Sequence, residues 1–210
     1  MLTMNPRTRS AEGSKAAILD AARRLFAERE ISSVSIRAIA AAAGVSHGLV
    51  QQYFGTRETM VAAIIQREID TIASATHAEF DPEQLRGVLK EGMESFQDFA
   101  AIITRAELAG IAPETMLDRS ATTPAMALAS AIAHLQAENG VPADSALDPQ
   151  LVSAYVNAAL FGFAALAPWL MASAGLEPQA YRKRFDEITD ITLALIELAG
   201  GAPSRSTPAG

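Results

Sequence analysis

At 210 residues and 50% hydrophobic, the chain can bury one large core or two smaller ones and is too apolar to be disordered throughout. Without a single cysteine it can build neither a disulfide framework nor a thiolate metal site, which fits a reducing compartment. Its net charge of −7 excludes a uniformly basic nucleic-acid binder but hides a split: residues 1–60 carry eight basic and five acidic side chains, the remainder nine and nineteen.

In chain order, the N-terminal stretch MLTMNPRTRSAEGSK is polar and basic with no apolar segment, so no secretory signal is expected in it. It reads as a flexible arm carrying Arg7 and Arg9, which could enter a minor groove or serve only as a solvated tail. Residues 14–30 then put Ala17, Ile18, Ala21, Ala22, Leu25 and Phe26 on one helical stripe. The sequence ISSVS breaks that helix, and Ser35 is a good N-cap for the next, IRAIAAAA. Gly44-Val45 makes a turn, Ser46 caps HGLVQQYF, and Gly55 ends it. Thr56 caps a fourth helix over residues 57–80, with Glu58 in the first turn where the helix dipole favours an acid.

Beyond Asp81-Pro82 the pattern stays helical over residues 82–110, weakens around Pro113 and is broken by RSATTP. A helix over residues 125–140 ends at a Gly140 cap. After the loop VPADSALDPQ, a long apolar segment covers residues 150–175, and a last helix covers residues 178–201. The final ten residues, 201–210, read as a disordered tail. No run alternates apolar and polar residues long enough for a strand, and no repeat of fixed period is present, so the expected fold class is all-α.

The stretch IAAAAGVSHGLVQQYF has the spacing of a helix-turn-helix. Ala40 is the small residue where a second helix crosses, Gly44 makes the turn four positions later, and Val50 is buried six after that. Ile39, Ala43 and Val45 complete the seam. The same spacing fits an ordinary helical hairpin. A wider window decides between them. ILDAARRLFAERE followed by SIRAIAAAAGVSHGLVQQYFGTRETM resembles the DNA-binding head of the TetR family of bacterial transcriptional regulators. The shared features are an apolar pair, Ala, Leu-Phe, a Ser cap, Ile-Ala, Ala-Gly-Val-Ser, Phe, and a basic residue before Glu. Three positions depart from the family pattern. Glu30 stands where glycine usually ends the first helix, Gln51 where tyrosine usually sits in the recognition helix, and Arg57 where lysine is usual.

The resemblance implies three regions: residues 1–56 as a three-helix DNA-binding head with its arm, residues 57–200 as a larger helical ligand-binding and dimerisation body, and residues 201–210 as the tail. In the head, Ser35 and Ser46 present helix starts to phosphate, and Arg37 and Arg57 clamp the backbone. His47, Gly48, Leu49, Gln51, Gln52 and Tyr53 offer the exposed face. Gln51 and Gln52 can pair with adenine, Leu49 can touch a thymine methyl, and Gly48 permits a close approach. The bland alternative for each is a solvated helix surface, and for Tyr53 a place in the core beside Phe54.

For the body, Met93, Phe96, Phe99, Ile103, Met116, Met126, Phe161, Phe163 and Trp169, with Tyr155, Asn157, His134 and Arg105 as polar points, are candidates for a cavity holding a small hydrophobic effector. Taken singly, each reads first as a core residue. From Leu151 to Leu176 there is no charge over 26 residues, long enough to span a bilayer. Pro168, Ser153, Asn157 and many alanines weigh against a membrane. A helix apolar all round is otherwise buried on every side, and the resemblance implies a homodimer through the last two long helices. The expected partner is a palindromic double-stranded operator, and the expected location is the cytoplasm. His47, His77 and His134 have no motif-like spacing, and no catalytic constellation is present, so no cofactor, metal or enzymatic activity is expected. The competing readings are a regulator that needs no ligand, a helical enzyme with an incidental helix-turn-helix, and a membrane-anchored protein.

Overall fold

The structure, a computed structural model, describes residues 6–75, 86–87, 93–118 and 122–201. Among these there are α-helices, one 3-10 turn and connecting loops, and no strand. The expected end of the fourth helix at Phe80, His77, and the tail beyond Gly201 lie outside the described residues. Two compact units are present. The first draws on Met1–Asp70 and Glu94–Ser120, the second on Thr71–Met93 and Ala121–Gly210. This division is not the one expected at residue 56, since most of the fourth helix and residues 94–120 belong with the helix-turn-helix.

In the first unit, α1 runs Pro6–Glu28, a 3-10 turn Ile31–Ser33, α2 Ile36–Ala43, α3 His47–Phe54 and α4 Arg57–Ala75; α5 (Met93–Leu108) and α6 (Pro113–Met116) follow. The helix α1 begins well before the expected residue 14, so Arg7 and Arg9 lie in its first turns and not on an arm. Proline is favoured at a helix start because its fixed φ suits the helix and its missing N–H has no intrahelical partner there. The residues that follow Pro6 are polar, so no apolar stripe announces those turns. Glu30 has extended backbone (φ −59°, ψ 133°), which any residue adopts, so the glycine usual in the family is not required.

The starts of α2, α3 and α4 are each fixed by a side chain. Ser35 Oγ accepts from the Ala38 N–H at 3.1 Å, Ser46 Oγ from Leu49 at 3.3 Å, and Thr56 Oγ1 from Thr59 at 3.2 Å. Such a cap contributes about 1 kcal/mol. The end of α2 is closed twice: the Val45 N–H donates to Ala40 O and the Gly44 N–H to Ala41 O, at 3.0 and 3.3 Å. That closure needs a left-handed residue, and Gly44 supplies it at φ 67°. The buried set comprises Ile18, Ala22 and Phe26 of α1, Ile39 and Ala40 of α2, Val50 and Phe54 of α3, and Met60, Val61 and Ile64 of α4. Arg23 of α1 joins two other helices, with Nε 2.9 Å from Glu68 of α4 and Nη1 2.8 Å from Asp98 of α5.

In the second unit, α7 spans Pro124–Glu138, α8 Pro149–Ser173, α9 Ala180–Lys183 and α10 Phe185–Ala199. The expected last helix over residues 178–201 is thus interrupted at Arg184. The Asp148 carboxylate accepts from the N–H groups of Gln150 and Leu151 and starts α8 at Pro149. Ile132, Val156, Leu193, Ile196 and Ala199 form the core between α7, α8 and α10. Ser153 Oγ donates to Ala125 O and ties α8 to the start of α7. The end of α10 is held by amides from α7 and the residue after it. Gln136 Nε2 donates to Ala199 O and Leu147 O, and Asn139 Nδ2 to Gly200 O, all at 2.9 Å.

The apolar α8 is not buried on every side. Only 17% of its most apolar window is buried, and Leu151, Tyr155, Leu166 and Trp169 are exposed along it. On α10, Ile191, Leu195 and Leu198 are exposed too.

Candidate nucleic-acid interface

The helix α3 has two sides. Val50 and Phe54 are buried and Leu49 and Tyr53 half-buried, so these four seat the helix on the core. His47, Gly48, Gln51 and Gln52 fill the remaining arc and are all exposed. Lys15 of α1 places its ammonium 5.9 Å from the Phe54 ring centroid, a cation–π contact at the C-terminal end of α3. The sequence stripe gave no hint of it, because Lys15 and Phe54 are far apart in the chain. The rings of Tyr53 and Phe54 meet edge to face at 6.4 Å.

The exposed side chains are free to meet a ligand. Among the described residues, Arg37, His47, Gln51 and Gln52 have no hydrogen-bond or ion-pair partner, and Arg37 is exposed on the first turn of α2. Arg57, at the start of α4, is half-buried, and its Nε is fully buried with no partner among the described residues. Beside it, the Glu58 carboxyl is held below its ordinary value of 4.5. Hydrogen bonding to its own backbone N–H is the chief cause, followed by Thr56; the Arg57 charge adds a little and slight burial opposes. Ser35 and Ser46 are spent as caps, with their helix starts open to solvent. A Cβ added to Gly48 would meet nothing within 4 Å, and its φ is not in the left-handed range. Neither strain nor crowding inside the protein requires a glycine there.

The residues expected to line a cavity divide between the two units. In the first, Phe99 and Met116 are buried, Phe96 and Ile103 are half-buried, and the rings of Phe96 and Phe99 lie edge to face at 6.4 Å. Met93 starts α5, and its side chain lies outside the described set. In the second, Met126, Tyr155 and Trp169 are exposed in the single chain. Asn157, half-buried, finds its partner on its own helix, donating to Ser153 O at 2.9 Å. His134 is exposed, 3.3 Å from Glu138 on the next turn of its helix.

Residues 18–64 match the family model described as bacterial regulatory proteins, tetR family. Over 162 residues the chain is 30% identical to the HTH-type transcriptional repressor Rv3405c of Mycobacterium tuberculosis, covering 77% of this chain and 78% of that one. This chain belongs to the TetR family. A second relative of this regulator, the HTH-type transcriptional repressor KstR2 of Rhodococcus jostii, is 29% identical over 97 residues, which is 46% of this chain and 43% of that one. The fold is shared with Salmonella enterica GusR at 18% identity and a TM-score of 0.63, over 90% of this regulator and 94% of that chain. It is shared more loosely with a gamma-butyrolactone receptor, at 21% identity and a TM-score of 0.51, over 87% and 98%. As a TetR-type transcriptional regulator, the protein uses its helix-turn-helix to bind DNA, and its body contains helices and loops and no strand among the described residues.

Proposed function

We propose that the regulator is a cytoplasmic repressor that binds a palindromic operator as a homodimer and leaves it when a small hydrophobic molecule binds the helical body. The observation that carries the DNA-binding part is the free face of α3: four exposed positions whose side chains, where present, have no partner among the described residues, flanked by Arg37 and by Arg57 with its orphaned Nε. Half-buried Arg57 at the start of α4 would offer its guanidinium charge to one phosphate. Arg37 holds a second phosphate, while His47, Gln51, Gln52 and the outer edge of Leu49 face bases. Tyr53, half-buried, steadies the helix more than it reads it.

The dimer rests on the exposed apolar face of α8 and its continuation on α10. Leu151, Tyr155, Leu166 and Trp169 lie on one helix and Ile191, Leu195 and Leu198 on the other, exposed apolar side chains of the kind that mark an interaction surface. A second copy covers it better than a bilayer does. The 15-residue α10 is too short to span one and begins with Asp186 and Glu187. One recognition helix reads few base pairs; two related by a two-fold axis read a palindrome one or more helical turns apart. Effector binding would act by favouring a body geometry in which the two heads no longer match successive grooves. Phe96, Phe99, Ile103 and Met116 are the apolar residues of the first unit proposed to meet that effector. Two relatives are named repressors, and one protein sharing the fold is named a gamma-butyrolactone receptor; these names support the repressor and effector readings.

The test is titration of the purified full chain onto duplex carrying its own upstream region, across a salt series, beside Arg37→Ala and Gln51→Ala. The expected result is tight binding of one palindrome, uniform weakening by Arg37→Ala and blurred preference with Gln51→Ala. Weak binding without preference, also in a selection from random duplexes, would overturn the proposal.

A further inference from the structure

Resting on that reading, we infer that the base pairs beneath Gln51 and Gln52 are A·T pairs, so each half-site of the operator is read there through adenine and not guanine. The reading helix, HGLVQQYF, contains no arginine or lysine. The commonest way to specify guanine is a bidentate arginine or lysine on its N7 and O6. Neither available arginine lies on this helix: Arg37 is in the first turn of α2 and Arg57 opens α4, with its Nε buried. The two adjacent amides, exposed and free of partners among the described residues, are what the helix offers instead.

An amide presents one acceptor and one donor side by side. Adenine presents the complement in the major groove, a donor at N6 and an acceptor at N7. Guanine presents two acceptors, N7 and O6, and would set one of them against the glutamine carbonyl, leaving both desolvated and unpaired. Gln51 and Gln52 are neighbours on the exposed arc, roughly 100° apart, so they reach different base pairs. The other exposed positions do not reverse this preference. His47 can donate to N7, which both purines share. Gly48 has no side chain to collide with a thymine methyl, and the accessible edge of the half-buried Leu49 is apolar and suits one.

The test is selection of bound sequences from random duplexes by the full-length wild type, Gln51→Ala, Gln52→Ala and Gln51→Arg, with thermal melts confirming that all fold alike. The expected wild-type motif is a palindrome with A·T at the positions where the alanine variants lose preference. Exchanging one such pair for G·C should weaken wild-type binding about five- to 150-fold. Gln51→Arg should move the preferred base at its own position to guanine. A palindrome whose Gln51- and Gln52-dependent positions are G·C would overturn the inference and leave the operator reading standing. No enriched motif at all would overturn the operator reading, and this inference with it.

Discussion

Replacing Gly48 by alanine should raise the stability of the protein while weakening its grip on DNA. Glycine inside a helix costs up to about 1 kcal/mol relative to alanine, because it loses more conformational freedom on folding. Gly48 is the second residue of α3, where the helical penalty is partial, so the gain expected is about 0.5 kcal/mol. Nothing offsets it: the new methyl would touch no atom within 4 Å, and the backbone is not left-handed. For a chain of this size that corresponds to a rise of about 1–2 °C in Tm. Against DNA the same methyl enters a space that the absence of a side chain leaves open to base edges. Overpacking of a close-fitted contact costs about 1–3 kcal/mol, which is about five- to 150-fold in affinity. Thermal melts and anisotropy titrations on the selected operator, at one salt concentration, measure the two effects separately. A fall of several degrees would mean that the fold itself requires this glycine. An unchanged affinity would mean that α3 does not bring its backbone close to the bases.

Ile191→Asp and Trp169→Asp put a charge on the exposed apolar face of α8 and α10, and should shift the protein from dimer to monomer in analytical ultracentrifugation; a dimer that persists in both would place the interface elsewhere. Arg23→Ala removes the links from α1 to Glu68 and Asp98, with both ends of the first link about 15% exposed, and should cost about 1–3 kcal/mol by denaturant titration. Arg23→Lys, lacking the guanidinium fork, should recover only part of it. For Glu58 the carboxyl is depressed in the folded state, so its contribution is present above its ordinary value of 4.5 and is lost as pH falls through the lower folded value; Glu58→Gln should therefore flatten the acid end of the stability profile. Gly201→Ala should destabilise, in contrast to Gly48→Ala, because Gly201 has φ 80° and a Cβ there would collide with Val141.

The helix-turn-helix was legible because its determinants are local. Ser35, Ser46 and Thr56 each bond to an N–H three residues ahead, and Gly44 closes α2 within five residues. All-helical architecture followed equally from short-range periodicity. What escaped was whatever lacks an apolar stripe or depends on distant partners. The first turns of α1 carry a polar sequence, so periodicity is silent there and only Pro6 marks the start. Arg184 interrupts the last helix although arginine and the Lys183 before it are good helix formers. The sharing of residues 94–120 with the head could not be read, because an apolar face such as that of Phe99, Ile102 and Ala106 says that it will be covered but not by what. The candidate site divides on the same line. Gln51 and Gln52 read as exposed from helical geometry alone, whereas Lys15 over Phe54 and Arg23 between Glu68 and Asp98 are meetings of residues distant in sequence. The apolar α8 shows the limit of composition: its residues are those of a core helix, yet in the single chain only 17% of its apolar window is buried.

The way α3 is held has an evolutionary consequence. Its start is set by Ser46, its end by Gly55, and its seat by Val50 and Phe54, while the side chains of His47, Gln51 and Gln52 contribute to none of these and Gly48 has none. Four of eight positions are therefore free to drift at little risk to folding. A duplicated copy of the gene could acquire a new target sequence by changes confined to those four codons, and the interference between old and new regulators would fade before either lost its fold.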